Sequence, residues 1–334
     1  MVYIYRCNNT EVTNFYLNVI GDMFLKNGEA VYDYNANIND KDAIIVASSP
    51  VHFLKFYLKG YRNIVLWMQG IEPEESYLKN KKYLNKRILE ILAKFSLKRA
   101  KLVFYVSEEM KNHQAKKYRI STDNRDAIMP CFNDIFHEEL LSCPGKYEKN
   151  IFAYVGSINV WQCFEETIDT YKKLEALLVN TELKVLTFSV EEAKKIIESK
   201  GVKNYSIECV SPEMVAQKLS NVKFGFVIRE NIDVNNVATP TKISSYLSAG
   251  VIPIVSDCVK DFAKIASAMD YAVVLPESKE LPKKLVDLCK NNINVSNIVH
   301  EYKTLFNTYY NPQFYIKKYS QLIHSITLQC DNKK

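Results

Sequence analysis

A guanidinium, an ammonium and several hydroxyls gather in one stretch of the second half of this chain. Arg229 ends the apolar run Phe224 to Ile228, and Thr239-Pro240-Thr241-Lys242 follows ahead of Ala249-Gly250 and a second apolar run, Val251 to Val255. A guanidinium holds phosphate through paired hydrogen bonds and an ammonium adds a point charge, so anion binding is the chemistry these residue types suggest. Pro favours the first helical position and Thr the position before it, so Thr239 reads as N-cap, Pro240 as the first helical residue and Gly250 as the stop. A helix start of this kind presents free amides and the positive end of the dipole, with Thr241 and Lys242 in its first turn. The plain alternative is an ordinary capped helix of an α/β domain. Upstream, "YVGSINVWQ" puts Gly156 and Ser157 directly after another apolar run, where a Gly lets a ligand approach the backbone closely. Together these groups suit a diphosphate without a metal.

The first half offers a different set. Asn8, Asn9 and Thr10, with Asn14, follow the first apolar run and suit hydroxyl recognition, although such residues also make turns and caps. "WMQGIEPEES" supplies Gln69, Gly70, Glu72, Glu74 and Glu75 after another run. A carboxylate there suits a proton acceptor or an acceptor ligand, while acids in a first helical turn are also expected from the dipole. His52 sits at the end of an apolar run and His113 inside a helical pattern. Eight cysteines are scattered with no Cys-x-x-Cys pair and no His at ligand spacing, which argues against a structural zinc and a disulfide framework. Reduced thiols in a cytoplasmic protein are the expectation, with no signal-peptide pattern at "MVYIYRCNNT" and no apolar run of membrane-spanning length.

The elements that must position these groups are legible as alternation. At 334 residues and 47% hydrophobic, with 9 Gly and 10 Pro, the chain is long enough for two cores and too apolar for a disordered class. Short apolar runs bounded by turn residues are expected as strands at 2–6, 30–34, 43–47, 64–68, 102–106 and 127–129, with helices between. "ELLSCPGKYEKN" then reads as a linker, and the rhythm restarts at 151–155, 183–188, 205–210, 224–228, 251–255 and 271–275. Such alternation implies crossover units and parallel sheets. The expected organisation is an N-terminal domain over 1–140, a second over 150–310, and a C-terminal helix at 311–334 packing back toward the first. Ligands of open parallel sheets bind beyond the carboxyl ends of the strands, and the cleft between two such domains is the default active site.

Net charge is +6, which gives no reason to expect a nucleic-acid partner. Its distribution is uneven: Lys79, Lys81, Lys82, Lys86, Arg87, Lys94, Lys98, Arg99 and Lys101 face one acid, Glu90, and Leu84, Ile88, Ile91, Leu92 and Phe95 recur at helical spacing. A basic amphipathic helix over 79–101 is expected. It either lies on an anionic membrane surface or turns its apolar stripe into the core.

The order Gly156-Ser157, Arg229, Thr239 to Lys242, Ala249-Gly250 resembles the donor-binding half of GT-B glycosyltransferases, nearest to the glycosyltransferase family 4 group of bacterial polysaccharide assembly. "WMQGIEPEESYLKNKK" and "LKRAKLVFYVSEEMKNHQAKKY" resemble the first half of the same enzymes. The resemblance implies two Rossmann-like domains whose parallel sheets face a cleft, with metal-independent and retaining sugar transfer from a nucleotide-sugar to a glycan or lipid-linked acceptor in capsule or O-antigen synthesis. No cofactor beyond the nucleotide-sugar substrate is implied, and the location is cytoplasmic, peripheral on the inner membrane face. Carried over by position, Arg229 and Lys242 clamp the diphosphate and Gly156, Ser157, Thr239, Pro240 and Thr241 line it. Tyr246 lines the nucleotide pocket, Glu72 and Gln69 serve catalysis on the acceptor side, and Asn8, Asn9, Thr10 and Gly70 contact the acceptor. The chain departs from the family at Val237 and Ser245, where a Glu often stands, and at Trp161-Gln162, where a basic residue does. A catalytically silent subunit supporting a partner enzyme, and a sugar-nucleotide epimerase or hydrolase on the same fold, are the alternatives.

Overall fold

The computed structural model describes residues 1–7, 10–132 and 134–331. Two compact units divide the chain: Met1–Asn133 with Val237–Thr239 and Tyr309–Lys334, and Asp134–Asn236 with Pro240–Thr308.

The first unit holds a six-stranded sheet of β1 (Val2–Ile4), β2 (Val31–Asp33), β3 (Ile44–Ala47), β4 (Ile64–Met68), β5 (Leu102–Tyr105) and β6 (Asp126–Ile128), in the order β2-β1-β3-β4-β5-β6. The second holds β7 (Asn150–Val155), β8 (Thr181–Leu186), β9 (Tyr205–Glu208), β10 (Phe224–Val227), β11 (Ile252–Ser256) and β12 (Val273–Leu275), in the order β12-β11-β10-β7-β8-β9. Every neighbouring pair is parallel. All twelve expected runs are strands, because central strands of a doubly wound sheet are buried on both faces and read as short continuous apolar segments. β3, β4, β5, β10 and β11 are buried at every residue.

Each sheet winds outward in both directions from its first strand, which creates a point where neighbouring crossovers diverge. That point lies between β1 and β3 in the first unit and between β7 and β10 in the second. In the second unit one side chain shapes it. β7 and β10 pair through Phe152 with Phe224 and Ala153 with Gly225, and then the Tyr246 hydroxyl enters between them. It accepts from the Val155 amide at 3.1 Å and lies 3.3 Å from the Ala153 and Phe226 carbonyl oxygens, to one of which it donates. The ring is accommodated by Gly225, where a Cβ would lie 2.7 Å from the Tyr246 ring atoms.

The stretch expected as a linker, Glu139 to Asn150, is packed instead. Lys146 is buried and donates to the Leu219 and Ser220 carbonyls at 2.9 and 3.0 Å, and the Tyr147 hydroxyl donates to Gly250 O at 2.9 Å. Pro144-Gly145 makes a turn within the second unit, and Lys146 satisfies carbonyls at the end of the short helix Val215–Lys218.

Gly225→Ala is expected to destabilise the second unit by about 1–3 kcal/mol, since the added methyl must displace the Tyr246 ring. Chemical denaturation measures it, and wild-type stability would show that the ring is not wedged at this strand.

Candidate functional site

In the second unit the candidate residues sit where the strand order reverses. β7 ends at Val155 and Gly156 follows with φ +122°, a left-handed conformation open to Gly alone without strain. Lys242 begins the helix Lys242–Ser248, and its Nζ lies 3.5 Å from where a Gly156 Cβ would be. The same ammonium stands 4.2 Å from the centre of the Tyr154 ring. Tyr246, one turn further along this helix, ties it to β7 and β10, so the residue that holds the strands apart also fixes the lysine over the glycine turn.

Arg229 follows β10 and is buried. Its guanidinium donates to Gln162 O at 2.9 Å, to Ile228 O at 2.7 Å and to the Gln162 side-chain oxygen, and its amide donates to Ser256 Oγ at 2.9 Å. It is therefore not a surface ion pair. Gln162, which sequence reasoning noted only as a departure from the family, is the group that orients it. Tyr154 was missed as well; an aromatic inside an apolar strand carries no sign that a cation will rest on its face.

The two cations oppose each other electrostatically. Lys242 Nζ is buried without a hydrogen-bond partner. Burial, and next the positive charge of Arg229, hold its pKa well below the usual lysine range. Burial also lowers the Arg229 pKa. A buried ammonium that lacks a counter-ion and faces a second cation carries an uncompensated desolvation cost, which an anion beside it would remove.

The other residues on this side divide. The Ser157 carbonyl accepts from the Tyr154 hydroxyl at 2.6 Å and Ser157 Oγ from Asn159 at 3.0 Å, which shape the turn after Gly156. Gly250 ends the helix as expected, with φ +74°. Two readings are corrected. The helix starts at Lys242 with no side-chain cap, and Thr239 belongs to the first unit, where its hydroxyl accepts from the Cys131 amide at 3.0 Å. Pro240 and Thr241 instead form the turn before the helix, through bonds from Ile243 N to Pro240 O and Ser245 N to Thr241 O. Tyr246 is fully buried with its hydroxyl committed to backbone, so it anchors the helix to the sheet and does not line a nucleotide pocket.

In the first unit the corresponding switch point brings together the ends of β1 and β3. His52 Nδ1 lies 3.0 Å from Ser49 Oγ, 3.4 Å from Ser48 Oγ and 3.6 Å from Cys7 Sγ, and burial with the nearby Lys55 lowers its pKa. Gln69 donates to Ser48 O at 3.2 Å. Burial, reinforced by the Glu75 carboxylate, pushes Glu72 up to about 7. Glu75 accepts from the Ile71 amide at 3.1 Å and passes over Gly70, where an added Cβ would collide with Glu75 Oε1. Gly70 therefore makes room for a helix cap. Thr10 is the N-cap of the helix Glu11–Leu25, accepting from Thr13 N at 3.3 Å, and Asn8 and Asn9 lie outside the described residues. Among the described residues no group of three or more His, Cys, Asp or Glu gathers to hold a metal.

Two parallel Rossmann-like sheets in tandem define the GT-B fold class, and the solved structures similar to this chain have that fold. One is the Anabaena protein HepE in complex with UDP and glucose, with a TM-score of 0.68, 10% identity, and coverage of 97% of this chain and 99% of that one. Another is the lipopolysaccharide outer core galactosyltransferase WaaB in its apo form, with a TM-score of 0.60, 13% identity, and coverage of 97% and 99%. A variant of S. aureus TarM with Fondaparinux, alpha-GlcNAc-glycerol and UDP aligns with a TM-score of 0.62 and 10% identity over 86% of this chain, which spans 56% of that chain. No protein-family model and no curated protein matches the sequence.

Lys242→Met is expected to raise the stability of the ligand-free protein and to flatten its pH dependence. The folded-state pKa is depressed, so the unfolded chain binds more protons between that value and about 10.4, and wild-type stability climbs with pH across this window. Urea denaturation of both proteins near neutral pH and near pH 9.5 reads the effect; an equal pH slope in the two would mean Lys242 is not the strained group.

Proposed function

We propose that the protein is a glycosyltransferase that moves a sugar from a nucleoside-diphosphate donor to a glycan or lipid-linked acceptor in bacterial surface polysaccharide synthesis. The observation that carries this reading is the buried Lys242 ammonium, without a hydrogen-bond partner, beside Arg229 and over the Gly156 turn. Two fixed cations at the switch point of a Rossmann-like sheet suit a diphosphate. The fold shared with HepE, whose structure holds UDP and glucose, and with the galactosyltransferase WaaB supports it.

In this reading the bond between the anomeric carbon and the diphosphate oxygen breaks with its electron pair going to the diphosphate, and the acceptor hydroxyl oxygen bonds the same carbon while its proton passes to the departing diphosphate. Charge grows on the leaving diphosphate. Lys242 and Arg229 stabilise it without having to reorganise, since both are already oriented and desolvated. Lys242 grips directly with its free Nζ, whereas Arg229, engaged by Gln162, supplies field and holds the turn. Charge neutralisation by these side chains underlies metal-independent transfer, and retention of configuration belongs to the same proposal. Glu72 and Gln69 are the acceptor-side groups of the first unit. With its pKa near 7, Glu72 is poised to exchange a proton at physiological pH.

Ser245 and Val237 stand where the resembled enzymes often carry Glu, which favours a second reading: a donor-binding subunit without turnover, serving a partner enzyme. Thermal unfolding against UDP, GDP, CMP, CDP, dTDP and their sugars tests the donor site, since a ligand of the folded state raises the midpoint. A selective shift with one nucleotide is expected, abolished in Lys242→Met; no shift with any would remove the donor site. Binding should also be accompanied by proton uptake, since an anion beside Lys242 raises its depressed pKa, read by calorimetry in buffers of different ionisation enthalpy. With donor and acceptor present, Lys242→Gln is expected to lower transfer about a hundredfold. Tight nucleotide binding with no product from any acceptor would establish the silent subunit.

A further inference from the structure

Two surface features of the first unit lie away from the candidate site. The basic segment is two helices, Glu72–Asn80 and Tyr83–Arg99, separated by Lys81 at φ +53°. Ala93 and Leu97 of the second helix enter the core while Leu84, Ile88 and Ile91 stay exposed, and nothing in the structure shows what covers them. The other feature is a cavity of about 480 Å³ where β1 and β2 end, with Arg6 following β1 and Asp33 closing β2. β2 is the outermost strand, so this cavity lies on the far side of β1 from the switch point where His52 meets Ser49.

The polar groups here are fixed by one another. The Arg6 guanidinium donates to Asp33 Oδ1 at 2.7 Å, to Asn14 Oδ1 at 3.2 Å and to Asn18 Oδ1 at 2.6 Å. Asn14, whose residue type suits hydroxyl recognition, is thereby committed to the arginine, and Asn18 stands one turn further along the same face of the helix Glu11–Leu25. With its oxygen turned to Arg6, Asn18 has its amide N–H groups left over. Asp33 keeps its second oxygen, and the Asp22 carboxylate makes no hydrogen bond or ion pair among the described residues. Ile4, Leu25 and Val31 give the cavity an apolar floor between these groups.

Donors and acceptors set around an apolar floor match a sugar ring, which carries hydroxyls on its rim and C–H groups on its faces. Each hydroxyl is donor and acceptor at once, so a carboxylate oxygen takes its hydrogen while an amide N–H donates to its oxygen. One cation against two carboxylates leaves the cavity net negative, which selects against a phosphate or a uronate. The volume falls within the roughly 300–1,000 Å³ of small-molecule sites. We infer that this cavity binds an uncharged pyranose through Asn18, Asp22 and the second oxygen of Asp33, with Arg6 holding that set in position. The inference rests on groups of the first unit and not on sugar transfer, so the two fail separately.

The test is saturation-transfer NMR on the full chain, without nucleotide, against the methyl glycosides of glucose, galactose, mannose and N-acetylglucosamine, the methyl glycoside of glucuronic acid, and neutral oligosaccharides of the same sugars. Saturation of at least one neutral glycoside is expected. Asn18→Ala should weaken its binding about fivefold and Asp22→Ala about tenfold, the values of a lost neutral and a lost charged hydrogen bond. Both positions are exposed on a helix, where Ala is well tolerated, and an unchanged melting temperature confirms that the variants are folded. An oligosaccharide bound tenfold tighter than its methyl glycoside would make the ligand one unit of a glycan chain, and equal affinity would make it a single sugar; either result upholds the site. No contact with any neutral glycoside would overturn the inference, as would binding unaltered in both variants, which would place the sugar elsewhere. A stronger response from the glucuronide would show Arg6 gripping a carboxylate and would overturn the assignment to an uncharged sugar.

Discussion

The second unit depends on one phenol placed between two parallel strands. Backbone amides and carbonyls buried between strands must find partners, and where β7 and β10 cease to pair the Tyr246 hydroxyl serves both, accepting from Val155 and donating toward Ala153 or Phe226. The opening between the strands is thereby held at a hydroxyl's width without stranding polar groups. Because Tyr246 and Lys242 share a short helix, the same anchor sets the height of the ammonium above Gly156. Gly225 and Gly156 are required for opposite reasons: the first to admit a ring, the second to turn the chain with positive φ.

Electrostatics around Lys242 and Arg229 runs against the usual rule that buried charges are paired. Arg229 is bonded only to neutral oxygens, and Lys242 has the face of Tyr154 as its neighbour. A cation resting on an aromatic ring gains less than one meeting a carboxylate. The arrangement keeps positive potential where a pair of opposite charges would extinguish it. In the proposed reading, selectivity for an anion is a property of what the protein withholds from its own lysine.

Much of this was legible in the amino-acid order, and the parts that were not share a cause. The strands were readable because burial on both faces leaves a one-dimensional signature, a short apolar run. Arg229, Gly156 and Lys242 were readable because each sits at the carboxyl end of such a run or opens the helix after it. Which way a helical residue points was not: Tyr246 lies one turn from Lys242 and was expected to share its ligand, but it faces the sheet. Thr239 has the composition of a helix cap and is used by a backbone amide of the first unit, a contact across more than a hundred positions of sequence. The segment around Lys146 carries turn and charge signals and is nevertheless packed, since a buried lysine bonding two carbonyls looks in sequence like a solvated one. Leu84, Ile88 and Ile91 have core spacing, and only the fold reveals that the core was closed by Ala93 and Leu97 instead.

The segment Tyr309–Lys334 belongs to the first unit, although the whole of the second unit's last sequence block lies before it. Within it the Tyr319 hydroxyl accepts from Ile128 N and donates to Ile128 O, each at 2.8 Å, on the outermost strand of the first sheet. An open sheet edge is a template for pairing with other chains, and here a tyrosine from the other extreme of the sequence closes it. During synthesis the six strands of the first sheet emerge early, but the side chain that covers their edge leaves the ribosome after the entire second unit has been made. The first unit thus waits, with β6 open, through the translation of most of the remaining chain.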